Sequence, residues 1–318
     1  MSPTQPPAGG GLRCTIPWPH GAKCAVSISW DIDIDTTLHL ERPASGFQEY
    51  ELLSSSRYEE VAIKSVVDAL AELGLRQTFF VCGWCIERYP DTCALIRDAG
   101  HEVAHHGYMH EPPNEQSPQA ELHWLERGVD IIRAFTGRSP LGWRAPYAAF
   151  SSRSASYLAR MGFVYDSSLS NDHNPYLITA DEGSLLELPI DITMSDAPHY
   201  AHVPTAGYAM SPKTPAQAID YFMSVIDATY EIGGFTTTVW HPELSGRPAR
   251  LLAWFDMVRA LQSRGDVWLA PLGEIAEHVG RCVSAGQVEL RSVALPFYRE
   301  PLFETGVILR GQGLAAPD

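Results

Sequence analysis

From Lys23 onward, short apolar runs alternate with longer stretches whose apolar residues recur at helical spacing. Ala25-Val26-Ser27-Ile28-Ser29-Trp30 reads as a strand, and 77–82, 102–105, 141–144 and 163–165 read as further ones. Later strands are expected at 185–190, 235–240 and 267–269. One intervening helix carries Val61, Val66, Val67, Leu70 and Leu73 and stops at Gly74; others are expected at 91–98, 117–135, 152–161, 215–232, 250–264 and 274–279. Boundary residues agree with this reading. Ser56 with Glu59 three residues later has the capping-box pattern, Ser117-Pro118 places Pro at the first helical position, and Gly100, Gly137 and Gly162 stand where helices should end. Residues 36–57 read as a long connection. Strand–helix alternation sustained over this length predicts a parallel sheet. Seven or eight such units in about 250 residues predict a single-domain α/β fold, a distorted (β/α) barrel of seven to eight strands. No Gly-x-Gly-x-x-Gly follows a strand, so the dinucleotide fingerprint of an open doubly wound sheet is missing.

On this pattern residues 1–20, rich in Pro and Gly, form an N-terminal arm, 21–280 the barrel, and 281–318 a C-terminal extension. Leu295-Pro296-Phe297-Tyr298 and Leu302-Phe303 in that extension suggest packing on a second copy, hence a homo-oligomer. The 318 residues carry 23 Lys and Arg against 38 Asp and Glu, a formal net charge of −15. That balance excludes the electrostatic footprint of a nucleic-acid or anionic-membrane binder. No window approaches the roughly 18 consecutive apolar residues that span a bilayer. The N-terminal stretch has neither the basic nor the apolar region of a secretory signal, so a cytoplasmic location is expected. Six Cys are too sparse for a disulfide framework. Cys82-Gly83-Trp84-Cys85 has the C-x-x-C spacing of a redox dithiol, against which stands the commoner use of free Cys as a small buried apolar residue.

In a parallel β/α barrel the site lies at the C-terminal ends of the strands, and it is there that the chemistry collects. Asp31 and Asp33 follow the first strand, His106 and His110 the strand at 102–105, and Arg144 and Tyr147 the strand at 141. Asp166 follows the strand at 163, and His241 with Glu243 the strand at 235. Residues of no function would scatter onto helix faces instead. Two acids two residues apart share one side of an extended segment, and a cation beside them removes the cost of like charges. One Asp with two His makes a divalent-metal set that leaves positions open for water and substrate. An overlapping His101-Glu102-Val103-Ala104-His105 matches the zinc-protease pattern H-E-x-x-H, whose mechanics need a helix. Here Gly100 ends a helix and His101 opens a strand, where the two His would stand over ~13 Å apart.

These motifs, in this order, resemble the polysaccharide deacetylase family with its NodB-like domain (carbohydrate esterase family 4). Trp30-Asp31-Ile32-Asp33 matches the first motif with one residue inserted between the acids. His106 and His110 match the His-x-x-x-His motif, and Arg144-Ala145-Pro146-Tyr147 matches Arg-x-Pro-Tyr in full. Asp166 and His241 stand at the expected fourth-motif acid and final His. Thr78–Trp84, Gly100–Val103, Glu187–Ile190 with Asp196-Ala197-Pro198, and His241–Pro248 are similar to the branch of peptidoglycan-deacetylase-like, allantoinase-like and cyclic imide hydrolase proteins.

The resemblance implies hydrolysis of a non-peptide carbon–nitrogen bond. Asp33, His106 and His110 would hold a divalent metal, Zn²⁺ by preference given imidazole and carboxylate donors, with Asp31 as general base and His241 as general acid. It further implies that Arg144 holds Asp31, that Asp166 orients His241, and that the Tyr147 N–H meets the oxyanion. Trp30, Trp84, Trp143 and Tyr147 are expected to crowd the mouth of the barrel, with residues 36–57 beside it. That reading favours a small amide or N-acetyl substrate over a polymer, with cyclic imides or ureides as the alternative. A catalytically degenerate, ligand-binding member is the alternative from another class.

Overall fold

Nine consecutive buried residues, Cys24–Ile32, form β1, and the sheet is organised around this strand. The structure, a computed structural model, describes residues 13–41, 46–201 and 211–295. The other strands are β2 (Thr78–Val81), β3 (Glu102–His105), β4 (Gly142–Trp143), β5 (Tyr165–Asp166), β6 (Tyr176–Ala180), β7 (Gly183–Glu187), β8 (Phe235–Trp240), β9 (Val267–Leu269) and β10 (Ser292–Ala294). The helices are α1 (Thr36–Glu41), α2 (Gly46–Glu72), α3 (Gly83–Arg88), α4 (Pro90–Asp98), α5 (Pro118–Thr136), α6 (Ser154–Met161), α7 (Ala197–Tyr200), α8 (Pro215–Ile232), α9 (Pro242–Ser245), α10 (Pro248–Ser263) and α11 (Leu272–Ser284).

Among the described residues these strands make one sheet in the order β10-β6-β7-β5-β4-β3-β2-β1-β8, and β9 pairs with the start of β1. All neighbours are parallel except β6 and β7, an antiparallel hairpin. The ladder wraps toward closure, and the segment after β7 reaches the free edge of β8 by a single bridge, Ser195 to Val239. The expected α/β architecture with parallel strands and intervening helices is thus present, as a distorted barrel whose ladder stays open between β10 and β8.

The alternation of β1 sets up the site. Val26, Ile28, Trp30 and Ile32 join the apolar layer beneath α2, α8 and α10, and Ser27, Ser29 and Asp31 take the opposite, interior face. Trp30 lies against Phe79, Trp240 and Trp254 with ring centroids 5.4–6.4 Å apart. Such aromatic pairs add about 0.5–1.5 kcal/mol each beyond simple burial. Trp30 and Trp143 are fully buried core residues, so neither crowds the mouth of the barrel as expected. Trp84 is partly buried and Tyr147 is 39% exposed.

Other expectations also change. The span 36–57 is largely helix: α1 opens directly after the Asp33 turn, and α2 starts at Gly46, so Ser56 is interior to a helix. The Ser117 cap is present, its Oγ accepting from the Ala120 N–H at 3.2 Å. Residues 13–18 do not behave as an arm. The Cys14 N–H donates to the Ile232 carbonyl, the Trp18 indole donates to the Gly233 carbonyl at 2.8 Å, and Ile16 and Trp18 are buried beside α11. The start of the supposed C-terminal extension completes α11 and adds β10 to the sheet. The apolar segments 296–298 and 302–303, on which the homo-oligomer was expected, lie outside the described residues, as do 1–12.

A β-carbon placed on Gly142 would meet the Tyr165 ring at 1.9 Å, because Tyr165 is its register partner on the adjacent parallel strand and lays its ring over the glycine. Gly142→Ala should therefore destabilise the fold by about 1–3 kcal/mol through overpacking, read as a lower urea midpoint with an unchanged m-value.

Candidate active site

Four strand ends deliver the polar residues. The turn after β1 brings Asp33 beside Asp31, and Ile34 within it adopts φ +49°, a left-handed conformation unusual for a β-branched residue. His110 (φ +59°), Tyr147 (φ +57°) and Ala148 (φ +54°) share this region. Strained backbone of this kind persists only where the surroundings over-determine it, and it clusters at functional sites.

Asp33, His106 and His110 converge. Asp33 Oδ1 lies 3.6 Å from His106 Nε2, and Asp33 Oδ2 lies 3.6 Å from His110 Nε2. One donor atom from each residue falls within 4.8 Å of the others, and all three residues are buried. His106 Nδ1 faces the Arg144 carbonyl at 2.8 Å. That contact places the proton on Nδ1 and leaves the Nε2 lone pair aimed at Asp33. Burial lowers the pKa of both imidazoles, that of His110 to about 3. Both rings are thus neutral, as metal ligation needs. The separations are too long for direct hydrogen bonds and suit a cation between the donors. These residues therefore fit the divalent metal that the motif spacing implies.

Arg144 is 2% exposed. Its Nη1 donates to Asp31 Oδ1 at 2.7 Å and to Ser29 Oγ at 2.9 Å, and its Nε donates to the Ser167 carbonyl at 2.9 Å. Its guanidinium stacks 4.0 Å from the centre of the Phe80 ring. Burial would raise the Asp31 carboxyl, but Arg144, then His106 and His241, outweigh it and hold the pKa below the ordinary value. Asp31 Oδ2 faces His106 Nε2 at 3.7 Å. The Arg144–Asp31 contact is the one the resemblance implies.

His241 stands 4.0 Å from Asp33 Oδ2 through its Nε2. Its orienting acid is Asp196, not Asp166. Asp196 Oδ1 lies 2.6 Å from His241 Nδ1, and Asp196 Oδ2 accepts from the His241 N–H at 2.9 Å and from Ser245 Oγ. The Ser195–Val239 bridge puts Asp196 beside His241. Burial alone would lower the imidazole, but Asp196 overrides it and raises its pKa well above the usual value. Asp166 instead accepts from Ser168 Oγ at 2.6 Å and from the Ser168 N–H at 3.2 Å, on the far side of Arg144.

Tyr147 packs its ring on His110 with centroids 4.3 Å apart. Asp35, third of the acids after β1, serves the wall, accepting from Trp84 Nε1 at 3.0 Å and from Tyr89 Oη at 2.7 Å. The sequence places Glu59 in a capping-box pattern and Glu243 after the strand at 235, and gives neither a chemical role. Burial first, then their neighbouring carboxyls, raises Glu59 well above its usual value, and burial brings Glu243 to about 7.

The thiols of Cys82 and Cys85 are free and buried, and burial pushes Cys82 up to about 12 and Cys85 well above its usual value. Cys82 donates to the His106 carbonyl at 3.1 Å and Cys85 to the Asp33 carbonyl at 3.3 Å, so they brace the backbone of two candidate ligands. The H-E-x-x-H reading fails. Glu102 accepts from Thr78, Tyr165 and Gly273, and His105 is bound between the Gly107 N–H and the Leu125 carbonyl.

The sequence model of the family described as polysaccharide deacetylase matches residues 57–165. The chain is 26% identical over 280 residues to the peptidoglycan deacetylase of Helicobacter pylori, covering 79% of this chain and 95% of that one. It is 34% identical to the solved "putative polysaccharide deacetylase from Mycobacterium smegmatis", with a TM-score of 0.81 over 88% of this chain and 97% of the other. The crystal structure of Puue allantoinase shares the fold at 19% identity and a TM-score of 0.72, over 86% of this chain and 94% of that one.

Asp33→Ala should abolish stoichiometric binding of Zn²⁺ to the metal-stripped protein, whereas Asp35→Asn should leave it intact. Calorimetric titration of both variants against the unsubstituted protein checks this.

Proposed function

Because the chain belongs to the polysaccharide deacetylase family, hydrolases of carbon–nitrogen bonds other than peptide bonds, we propose that it is a metal-dependent deacetylase of an N-acetylated amino sugar. The observation that carries this reading is the convergence of Asp33, His106 and His110 beside an Asp31 that Arg144 holds ionised. Zn²⁺ is the cation this donor set suits, two neutral imidazoles with one carboxylate. A divalent cation held there supplies Lewis acidity, lowering the pKa of water and polarising an acyl oxygen.

The remaining work falls to the chain itself. Asp31, fixed through Oδ1, keeps Oδ2 to take a proton from the attacking water. His241, held protonated by Asp196, gives the Nε2 proton to the leaving nitrogen. The Tyr147 N–H, on its left-handed turn, is assigned to the developing oxyanion. The case for a small substrate loses two of its four aromatic residues to the core. The names of the similar proteins support an N-acetylated glycan.

The test is acetate release from chitooligosaccharides and peptidoglycan fragments, with a cyclic imide and a ureide in parallel, using chelator-stripped and Zn²⁺-reloaded protein. Acetate should appear only with metal. Turnover of the imide or ureide alone, or equal rates without metal, would overturn the reading.

Two variants separate the roles. Asp31→Asn should lower kcat by on the order of 10²–10⁴ with metal content unchanged. The catalytic acid must carry its proton, and Asp196 is what raises the pKa of His241. Asp196→Asn should therefore move the alkaline limb of the kcat/KM profile to lower pH and leave the acidic limb in place.

A further inference from the structure

With His241 oriented by Asp196, the buried acid Asp166 has no part in the chemistry, and what surrounds it is unusual. β5 and β7 are in register so that Asp166 pairs with Glu187, and both side chains are fully buried. Two carboxylates facing one another without water cannot both stay ionised. Glu187 Oε1 accepts from the N–H groups of Ser168 and Leu169 at 3.1 and 2.9 Å, whereas Glu187 Oε2 has no partner. A proton on Oε2, donated to Asp166, resolves both problems. Burial raises Glu187 well above its usual value and the neighbouring Asp166 adds to this, which agrees with Glu187 as the neutral member.

The pair grips a single dipeptide. Ser168 Oγ donates to Asp166 Oδ1 at 2.6 Å and accepts from the Ala145 N–H at 2.8 Å. Ser167 accepts from Arg144 twice, its carbonyl from Nε and its Oγ from Nη2 at 3.1 Å. Arg144 in turn sets Asp31 through Nη1 and His106 through its carbonyl.

We propose that Glu187 and Asp166 are positioning residues that share one proton, fix Ser167 and Ser168, and through them aim Arg144 at the general base and hold the Ala145–Tyr147 turn. This rests on the deacetylase reading for its effect on rate, but its geometry does not. Glu187→Gln keeps the Oε1 acceptor and replaces the shared proton with an amide N–H, so it should retain function. Glu187→Ala removes both, and Ser168→Ala removes the link to Ala145.

The experiment combines an activity readout with one that needs no turnover. In Glu187→Ala and Ser168→Ala, kcat should fall by on the order of tenfold with KM little changed. The acidic limb of the pH profile should rise, because a displaced Arg144 no longer depresses Asp31. In ¹⁵N-labelled protein the Arg144 Nε–H, assigned by its loss in Arg144→Lys, should be slow to exchange in the unsubstituted chain and in Glu187→Gln, and fast in the other two. If the unsubstituted enzyme turns over none of the substrates, the deacetylase reading fails and the exchange measurement still judges the positioning claim. The proposal is overturned if Glu187→Gln behaves like Glu187→Ala, or if Glu187→Ala and Ser168→Ala keep a slow Arg144 Nε–H. Should Glu187→Ala not fold, Ser168→Ala and Glu187→Gln carry the same comparison.

Discussion

One buried guanidinium ties the site together. Arg144 leaves the end of β4, crosses beneath the strand ends and binds Asp31 and Ser29 from β1 and Ser167 from beyond β5, lying flat on Phe80 from β2. Its own carbonyl fixes the tautomer of His106. An ion pair this deep gives little net stability, since desolvation consumes most of the Coulomb gain. Losing either partner is different, because an unpaired buried charge costs about 3–5 kcal/mol. The Asp31–Arg144 pair therefore acts as a constraint on geometry: any arrangement that misplaces a strand end strands a charge.

The same economy runs through the shell around it. His106 and His110 are neutral because they are buried, and His241 is cationic in spite of burial because Asp196 closes on it. The three imidazoles differ in what Nδ1 meets: a carboxylate for His241, a carbonyl for His106, and no partner for His110. Asp31 and His241 are likewise set apart by environment: Arg144 holds the carboxyl below its usual pKa, and Asp196 raises the imidazole above its own. Separating two pKa values in this way lets one site give and take protons at a single pH.

The sequence made the strand-end chemistry legible because β/α alternation and motif spacing are local signals. Asp31 and Asp33 after β1 and His106 and His110 after β3 are brought together at the strand ends on either side of β2, which places Asp33, His106 and His110 within reach of one cation. What it did not reveal depended on contacts remote in sequence. Asp196 could be quoted but given no role, since only the Ser195–Val239 bridge brings it to His241. Trp30 and Trp143 looked like mouth residues because they neighbour the motifs, yet strand alternation turns Trp30 into the core. The helical stretch at 46–56 was hidden because Ser56 with Glu59 has the pattern of a helix start. Ser costs only about half a kcal/mol against Ala in a helix interior, too little to end a helix that packs further along. The H-E-x-x-H string shows the opposite error avoided: its spacing is right and its backbone is a strand.

X-ray absorption at the zinc edge of the reloaded protein tests the account most directly. Two imidazole ligands with oxygen donors completing the shell, and no sulfur, are what Asp33, His106 and His110 predict. A sulfur ligand, which Cys82 at 3.8 Å from Asp33 Oδ1 could supply, or a shell without imidazole, would contradict it.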